Sequence, residues 1–165
     1  MDRKDKADWH YKIDAIREIA RELRPGIASL FDLSATTFIP VPPSKVVSHP
    51  LHDPRLERIL KLTCGESADV RELIVAKKEM GASHESEHDR PTVAELYSNY
   101  KFNPAVSKEI FNDVVIFDDL ITAGNHFKAC QQFLNKHYSD LNITGIFVAR
   151  RAIEASSPFD DFDGF

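Results

Sequence analysis

Residues 112–127 read Asn112-Asp113-Val114-Val115-Ile116-Phe117-Asp118-Asp119-Leu120-Ile121-Thr122-Ala123-Gly124-Asn125-His126-Phe127. A strand with one wet face alternates polar and apolar side chains. The unbroken apolar run Val114–Phe117 instead marks a strand covered on both faces, as in a parallel sheet between helices. The pattern predicts that Asp118-Asp119 end this strand. The small residues Thr122-Ala123-Gly124 then lead into a helix. On it Phe127, Cys130, Phe133 and Leu134 share one face, with His137 near the end.

Working outward, Ile143 to Val148 is predicted as another buried strand, followed by Ala149-Arg150-Arg151. Upstream, Thr36-Thr37-Phe38-Ile39-Pro40-Val41 has the β-branched and apolar content of a strand and runs into the rigid turn Pro42-Pro43-Ser44. Leu73-Ile74-Val75-Ala76 is a further short strand. Helices are expected at three places. The first runs from Lys6 to Leu23, where Trp9, Ile13, Ile16, Ala20 and Leu23 recur at helical spacing. Arg24-Pro25-Gly26 should stop it, with a short helix over Ala28–Leu33 beyond. The second opens at Pro54 and carries Leu56, Ile59, Leu60 and Leu62. The third covers Thr92 to Tyr100. Lys77 to Pro91 is polar and reads as a loop. Strands alternating with helices predict an α/β domain: a three-layer, Rossmann-like parallel sheet with flanking helices and a small hood. The expected division is an N-terminal helical segment over 1–34, a core over 35–151, and an acidic, aromatic tail over 152–165.

Composition narrows the function. The chain has 165 residues, 42% hydrophobic and 28% charged, enough for one buried core. Its formal net charge of −5 gives no basic footprint for general nucleic-acid binding. No apolar run approaches a membrane-spanning length. The start, Met1-Asp2-Arg3-Lys4-Asp5-Lys6, has no apolar segment behind it and does not read as a signal peptide, so the expected location is cytoplasmic. Cys64 and Cys130 form no CxxC pair and are expected to be buried thiols.

The chemistry concentrates where the reading began. In open α/β sheets, ligands bind at the carboxyl ends of the strands. Two adjacent carboxylates there repel each other, which suits a cation or polyol partner. A small-residue loop opening a helix offers backbone N–H groups and a dipole to an anion. Carboxylates for sugar hydroxyls beside a nest for phosphate describe a ribose 5-phosphate pocket.

These residues resemble the phosphoribosyl pyrophosphate motif of type I phosphoribosyltransferases, and Thr122-Ala123-Gly124 is most similar to the orotate enzymes. Other stretches are similar to the ComF-like branch: Ile39-Pro40-Val41-Pro42, Arg90-Pro91-Thr92 with Asn99–Phe102, and Val148-Ala149-Arg150. The resemblance spans roughly Phe38 to Arg151. It implies that Asp118 and Asp119 meet the ribose hydroxyls, directly or through Mg²⁺. It further implies that Thr122, Ala123, Gly124, Asn125 and His126 cradle the 5′-phosphate. The turn containing Pro42, Pro43, Ser44 and Lys45 takes the place of the pyrophosphate loop. Lys77–Arg90 takes the place of the closing loop, so that Arg90, Lys77 or Lys78 contacts the leaving pyrophosphate. The catalytic set it implies is Asp118, Asp119, Lys45 and Arg90, with Asp118 and Asp119 as the metal ligands. The expected activity is phosphoribosyl transfer to a base-like acceptor. The alternative is a non-catalytic sensor of this ligand, or a partner subunit of a larger bacterial assembly, such as one of defence; a homodimer also fits. Asn125-His126 depart from the small or hydroxyl residues of the pattern. Thr122 stands where purine-salvage enzymes have an aspartate, which argues against that branch.

Three other features carry simpler readings. His84-Glu85-Ser86-Glu87-His88 matches the zinc-protease pattern HExxH, but between Gly81 and Pro91 it lacks an apolar helical face and reads as a solvated loop. Arg150-Arg151 read as surface charges at a strand end. Phe159, Phe162 and Phe165 suit docking of the tail on a core or a partner.

Overall fold

The computed structural model describes residues 8–79 and 91–151. The stretch 80–90, including Arg90 and the HExxH match, lies outside the described residues, as do the N-terminal segment before Asp8 and the aromatic tail. Ten elements follow in order: α1 (Asp8–Leu30), β1 (Thr36–Pro40), α2 (Arg55–Cys64), β2 (Asp69–Val70), β3 (Ile74–Ala76), α3 (Val93–Asn99), β4 (Tyr100–Phe102), β5 (Asp113–Ile121), α4 (Asn125–His137) and β6 (Asn142–Arg150).

Four strands form a parallel sheet in the order β2-β1-β5-β6. The two central strands carry the buried apolar runs Phe38-Ile39 and Val114–Phe117. Phe38, Ile39, Val114, Val115, Ile116 and Phe117 are essentially without solvent exposure. β1 leads through α2 to β2 on one side, and β5 leads through α4 to β6 on the other. Right-handed crossovers running in opposite directions put their helices on opposite faces, a doubly wound, Rossmann-like arrangement. α1 packs on α2, and α3 on α4. The three-layer expectation is met at this level.

Several boundaries differ from the sequence reading. β5 does not end at Asp118-Asp119. It runs on to Ile121 because β6 continues beside it, with Asp118 opposite Phe147 and Ile121 opposite Arg150. Its other neighbour stops earlier: the last β1 pair is Pro40 with Phe117, and Val41 N–H donates to Phe117 O at 2.9 Å. The acid pair therefore sits on the C-terminal part of β5, which is paired on one side only. β6 is only partly buried, as befits an edge strand.

α1 passes through Pro25 rather than stopping there, so the separate helix expected over Ala28–Leu33 is instead its last turns. Proline removes one intrahelical hydrogen bond, at a cost of about 3 kcal/mol. Tertiary contact offsets it: Ile16, Ala20 and Ile27 are buried on both sides of the break, and Arg24 donates to Leu62 O at 2.6 Å. Of the apolar residues on α2, Leu56, Ile59 and Leu60 are buried and Leu62 is exposed.

β3 stands apart from the main sheet and pairs antiparallel with β4, with Ile74 opposite Phe102. This ribbon packs its aromatic side chains onto α4. The Phe102 and Phe133 rings lie 4.9 Å apart, edge to face. Gly145 lets α4 approach β6, because a Cβ there would meet the Phe127 ring at 2.8 Å. Cys64 and Cys130 are free and buried, as expected. Among the described residues, no helix is long and apolar enough to cross a membrane.

Candidate functional site

The sheet order reverses between β1 and β5, whose chain connections leave in opposite directions. A crevice opens at the carboxyl ends of the strands at such a switch. Three segments meet there: the turn after β1, the start of α2, and the β5–α4 connection.

Asp118 and Asp119 are both partly buried. The Asp119 N–H donates to Asp118 Oδ1 at 2.9 Å. Burial, and then the neighbouring Asp119 carboxylate, push Asp118 up from 3.8 to about 7. Asp119 Oδ2 lies 2.6 Å from Arg55 Nη2. Arg55 begins α2, 64 residues before Asp119 in the chain, and sequence reading did not find it. Only the parallel β1–β5 pairing brings it close, and no local spacing signals such a pair.

Gly124 caps α4 in the left-handed conformation, with φ at 73°. A side chain there would be strained, so glycine is the fitting residue. As a cap, Gly124 brings no side-chain oxygen, and the first turn of α4 contains no acid. The leading N–H groups of the helix therefore have no side-chain acceptor from the cap, and the positive end of the dipole is not neutralised by its own first turn. The departures at Asn125 and His126 are accounted for by protein partners. Asn125 Nδ2 donates to Pro91 O at 3.0 Å. His126 Nδ1 lies 3.4 Å from the buried Tyr100 hydroxyl, and burial lowers the imidazole pKa. Neither side chain adds a fixed charge to the loop, so the donors it could offer an anion are backbone N–H groups and the Thr122 hydroxyl.

In the turn after β1, Pro42 is buried, Pro43 and Lys45 are partly buried and Ser44 is exposed. The two prolines have no N–H, so the backbone donors this turn can offer come from Ser44 and Lys45. Lys45 Nζ lies 2.7 Å from Glu79 Oε2, and His49 Nε2 is 3.3 Å from Glu79 Oε1. Lys45's hydrogen bond holds the Glu79 carboxyl below its usual range. A second link ties the same turn to the strand region. His52 Nδ1 is 3.2 Å from Lys45 O, and its Nε2 is 3.4 Å from Glu72 Oε1. Burial raises Glu72, partly opposed by His52. These links fasten the turn to the segment flanking β3.

The structure thus gathers Asp118, Asp119 and Thr122–His126 on one connection, with the turn after β1 alongside. It ties the Lys77 side chain elsewhere, with Lys77 Nζ donating to Ser98 O at 2.7 Å, while the backbone N–H of Lys78 donates to Asn99 Oδ1 at 3.0 Å and its side chain is exposed. Arg150 is exposed at the end of β6, and the Arg151 N–H donates to Ile121 O at 3.0 Å, extending the ladder past the acid pair.

The donor chemistry fits a hard divalent cation. Mg²⁺ is commonly held by one or two carboxylates with the remaining positions filled by water and substrate phosphates. Asp118 and Asp119 supply such a pair. No group of three or more His, Cys, Asp or Glu suited to a metal occurs among the described residues, so the cation would depend on ligand oxygens to complete its shell.

No protein-family model matches this chain, and no curated protein does either.

Proposed function

We propose that this chain binds phosphoribosyl pyrophosphate with Mg²⁺ at the switch between β1 and β5, and transfers the phosphoribosyl group to a base-like acceptor. The observation that carries the reading is one continuous connection. A carboxylate pair in the C-terminal part of a central parallel strand leads, through the last two strand residues and a three-residue loop closed by left-handed Gly124, to a helix start without a side-chain cap. The pair suits vicinal hydroxyls, and the loop suits a phosphate. The resemblance to the type I phosphoribosyltransferase motif supports the same assignment.

In this reading Asp118 and Asp119 accept hydrogen bonds from the ribose hydroxyls and would hold the cation, which when bound would supply charge neutralisation for the pyrophosphate. Thr122 and the N–H groups through His126 hold the 5′-phosphate and so fix the sugar ring. Ser44 and Lys45 face the pyrophosphate. The C1–oxygen bond to pyrophosphate breaks, a bond from the acceptor nitrogen to C1 forms, and the acceptor gives up its proton. The residues act mainly by positioning and by fixed charge.

Isothermal titration with phosphoribosyl pyrophosphate and Mg²⁺ tests binding. Heat is expected for the wild type and is expected to disappear in the Asp118→Asn/Asp119→Asn double variant. No wild-type heat, or unchanged heat in the variant, rejects the reading. Pyrophosphate release with a panel of bases then tests transfer; binding without release assigns the chain to a sensing role instead.

A further inference from the structure

The guanidinium of Arg55 lies between two carboxylates. Its Nη2 is 2.6 Å from Asp119 Oδ2, and its Nη1 is 3.7 Å from Asp53 Oδ2. Asp53 also receives Lys12 Nζ at 2.5 Å. We infer that Arg55 is an internal stand-in for the divalent cation: it occupies Asp119 in the unliganded protein and yields that carboxylate by retreating onto Asp53. The inference rests on the reading of the site proposed above.

Three observations support the exchange. A guanidinium and a metal ion cannot share one carboxylate oxygen without strong like-charge repulsion, so arrival of one displaces the other. Arg55 is about half exposed at the first residue of α2, where its side chain has room to swing. Its second partner is already within reach, so retreat shortens an existing 3.7 Å approach rather than leaving the cation unpartnered. Held 2.6 Å from Asp119, the same guanidinium also offsets the negative charge of the acid pair. Arg55 is thus a positioning residue that keeps the acid pair loaded with positive charge until its ligand arrives.

The probe is Mn²⁺, followed by electron paramagnetic resonance of the free ion with the full chain, with and without phosphoribosyl pyrophosphate. Arg55→Gln is expected to bind Mn²⁺ more tightly, by about two- to fivefold, the scale of a half-exposed ion pair. Asp53→Asn is expected to bind it more weakly by a similar factor, because Arg55 loses its place of retreat. Simple removal of charge would give the same two signs, so the double variant decides. If Asp53 acts through Arg55, Asp53→Asn has no effect in the Arg55→Gln background. A full Asp53→Asn effect in that background, or unchanged or weaker Mn²⁺ binding by Arg55→Gln, overturns the inference. Arg55→Met, which keeps the aliphatic stem, replaces Arg55→Gln if melting shows that variant to be poorly folded. Asp119→Asn separates the two levels. If it leaves wild-type Mn²⁺ affinity unchanged, the metal is not on the acid pair and the underlying reading falls, whatever Arg55 does.

Discussion

Asp118 shows how one residue's surroundings set both its protonation and the stability of the protein. It lies within β5, just after residues that are fully buried, and its neighbour in the chain is another carboxylate. Burial and repulsion both favour the protonated form, which carries Asp118 from 3.8 to about 7. Because the folded-state value lies above the unfolded one, the native protein holds a proton that the unfolded chain releases first. Stability is therefore greatest below the unfolded value and declines as pH rises through the folded one. The shift in Glu72 has the same direction and adds to the trend. Asp118→Asn removes the Asp118 part. Urea unfolding without divalent cations should show the variant gaining on the wild type by about 2 kcal/mol between roughly pH 4 and pH 8, about half the full shift because the group is partly solvated. A stability difference that stays flat over this range would show that Asp118 does not titrate there.

At the scale of elements, legibility followed length and apolar density. β1 and β5 were plain in the sequence because each carries a short run of β-branched and large apolar residues bounded by turn or charged residues, too short for a buried helix. β2 and β4 were not, because Asp69-Val70 and Tyr100-Lys101-Phe102 carry no apolar run of the kind that marks the equally short β3. Their pairing is decided by what the longer elements leave uncovered. The connection carrying the candidate site was legible because its chemistry is local: acids, small residues and a glycine in order. Arg55 was not, because its partner is distant in the chain. The end of β5 was misplaced for a related reason, since charge normally ends a strand but β6 offered partners as far as Ile121. The most instructive miss is Pro25-Gly26, a pair that ends most helices. Here the burial of Ile27 decides. Gly26 has no positive φ, and nothing lies within 4 Å of where its Cβ would be. Gly26→Ala should therefore stabilise the protein by about 0.5–1 kcal/mol, through helix propensity and a less free unfolded chain. Thermal melting checks this, and a lower melting temperature would mean that the helix needs glycine's freedom beside Pro25.

For the molecule as a whole, the consequence of the doubly wound topology is that segments far apart in sequence converge at one edge of the sheet. The turn after β1 and the β5–α4 connection are separated by β2, the β3–β4 ribbon and two helices, yet Pro40 and Phe117 are register partners. The remaining surfaces are held by other means: α1 on α2, and the aromatic cluster of Phe102, Phe133 and His137 beneath the ribbon. A ligand seated at the switch should therefore stiffen two discontinuous stretches together and leave the rest unchanged. Hydrogen exchange with and without phosphoribosyl pyrophosphate and Mg²⁺ reads this directly. Slower exchange is expected at Ser44–Lys45 and at Thr122–Phe127, while α1, β2 and the outer end of β6 near Asn142 keep their rates. The effect on Ser44–Lys45 should be the smaller of the two, because their turn is already fastened through Glu79 and His52, whereas the start of α4 has no side-chain cap to replace. Protection confined to the β3–β4 ribbon, or spread evenly over the sheet, would place the ligand away from the switch and detach the acid pair from the phosphate loop.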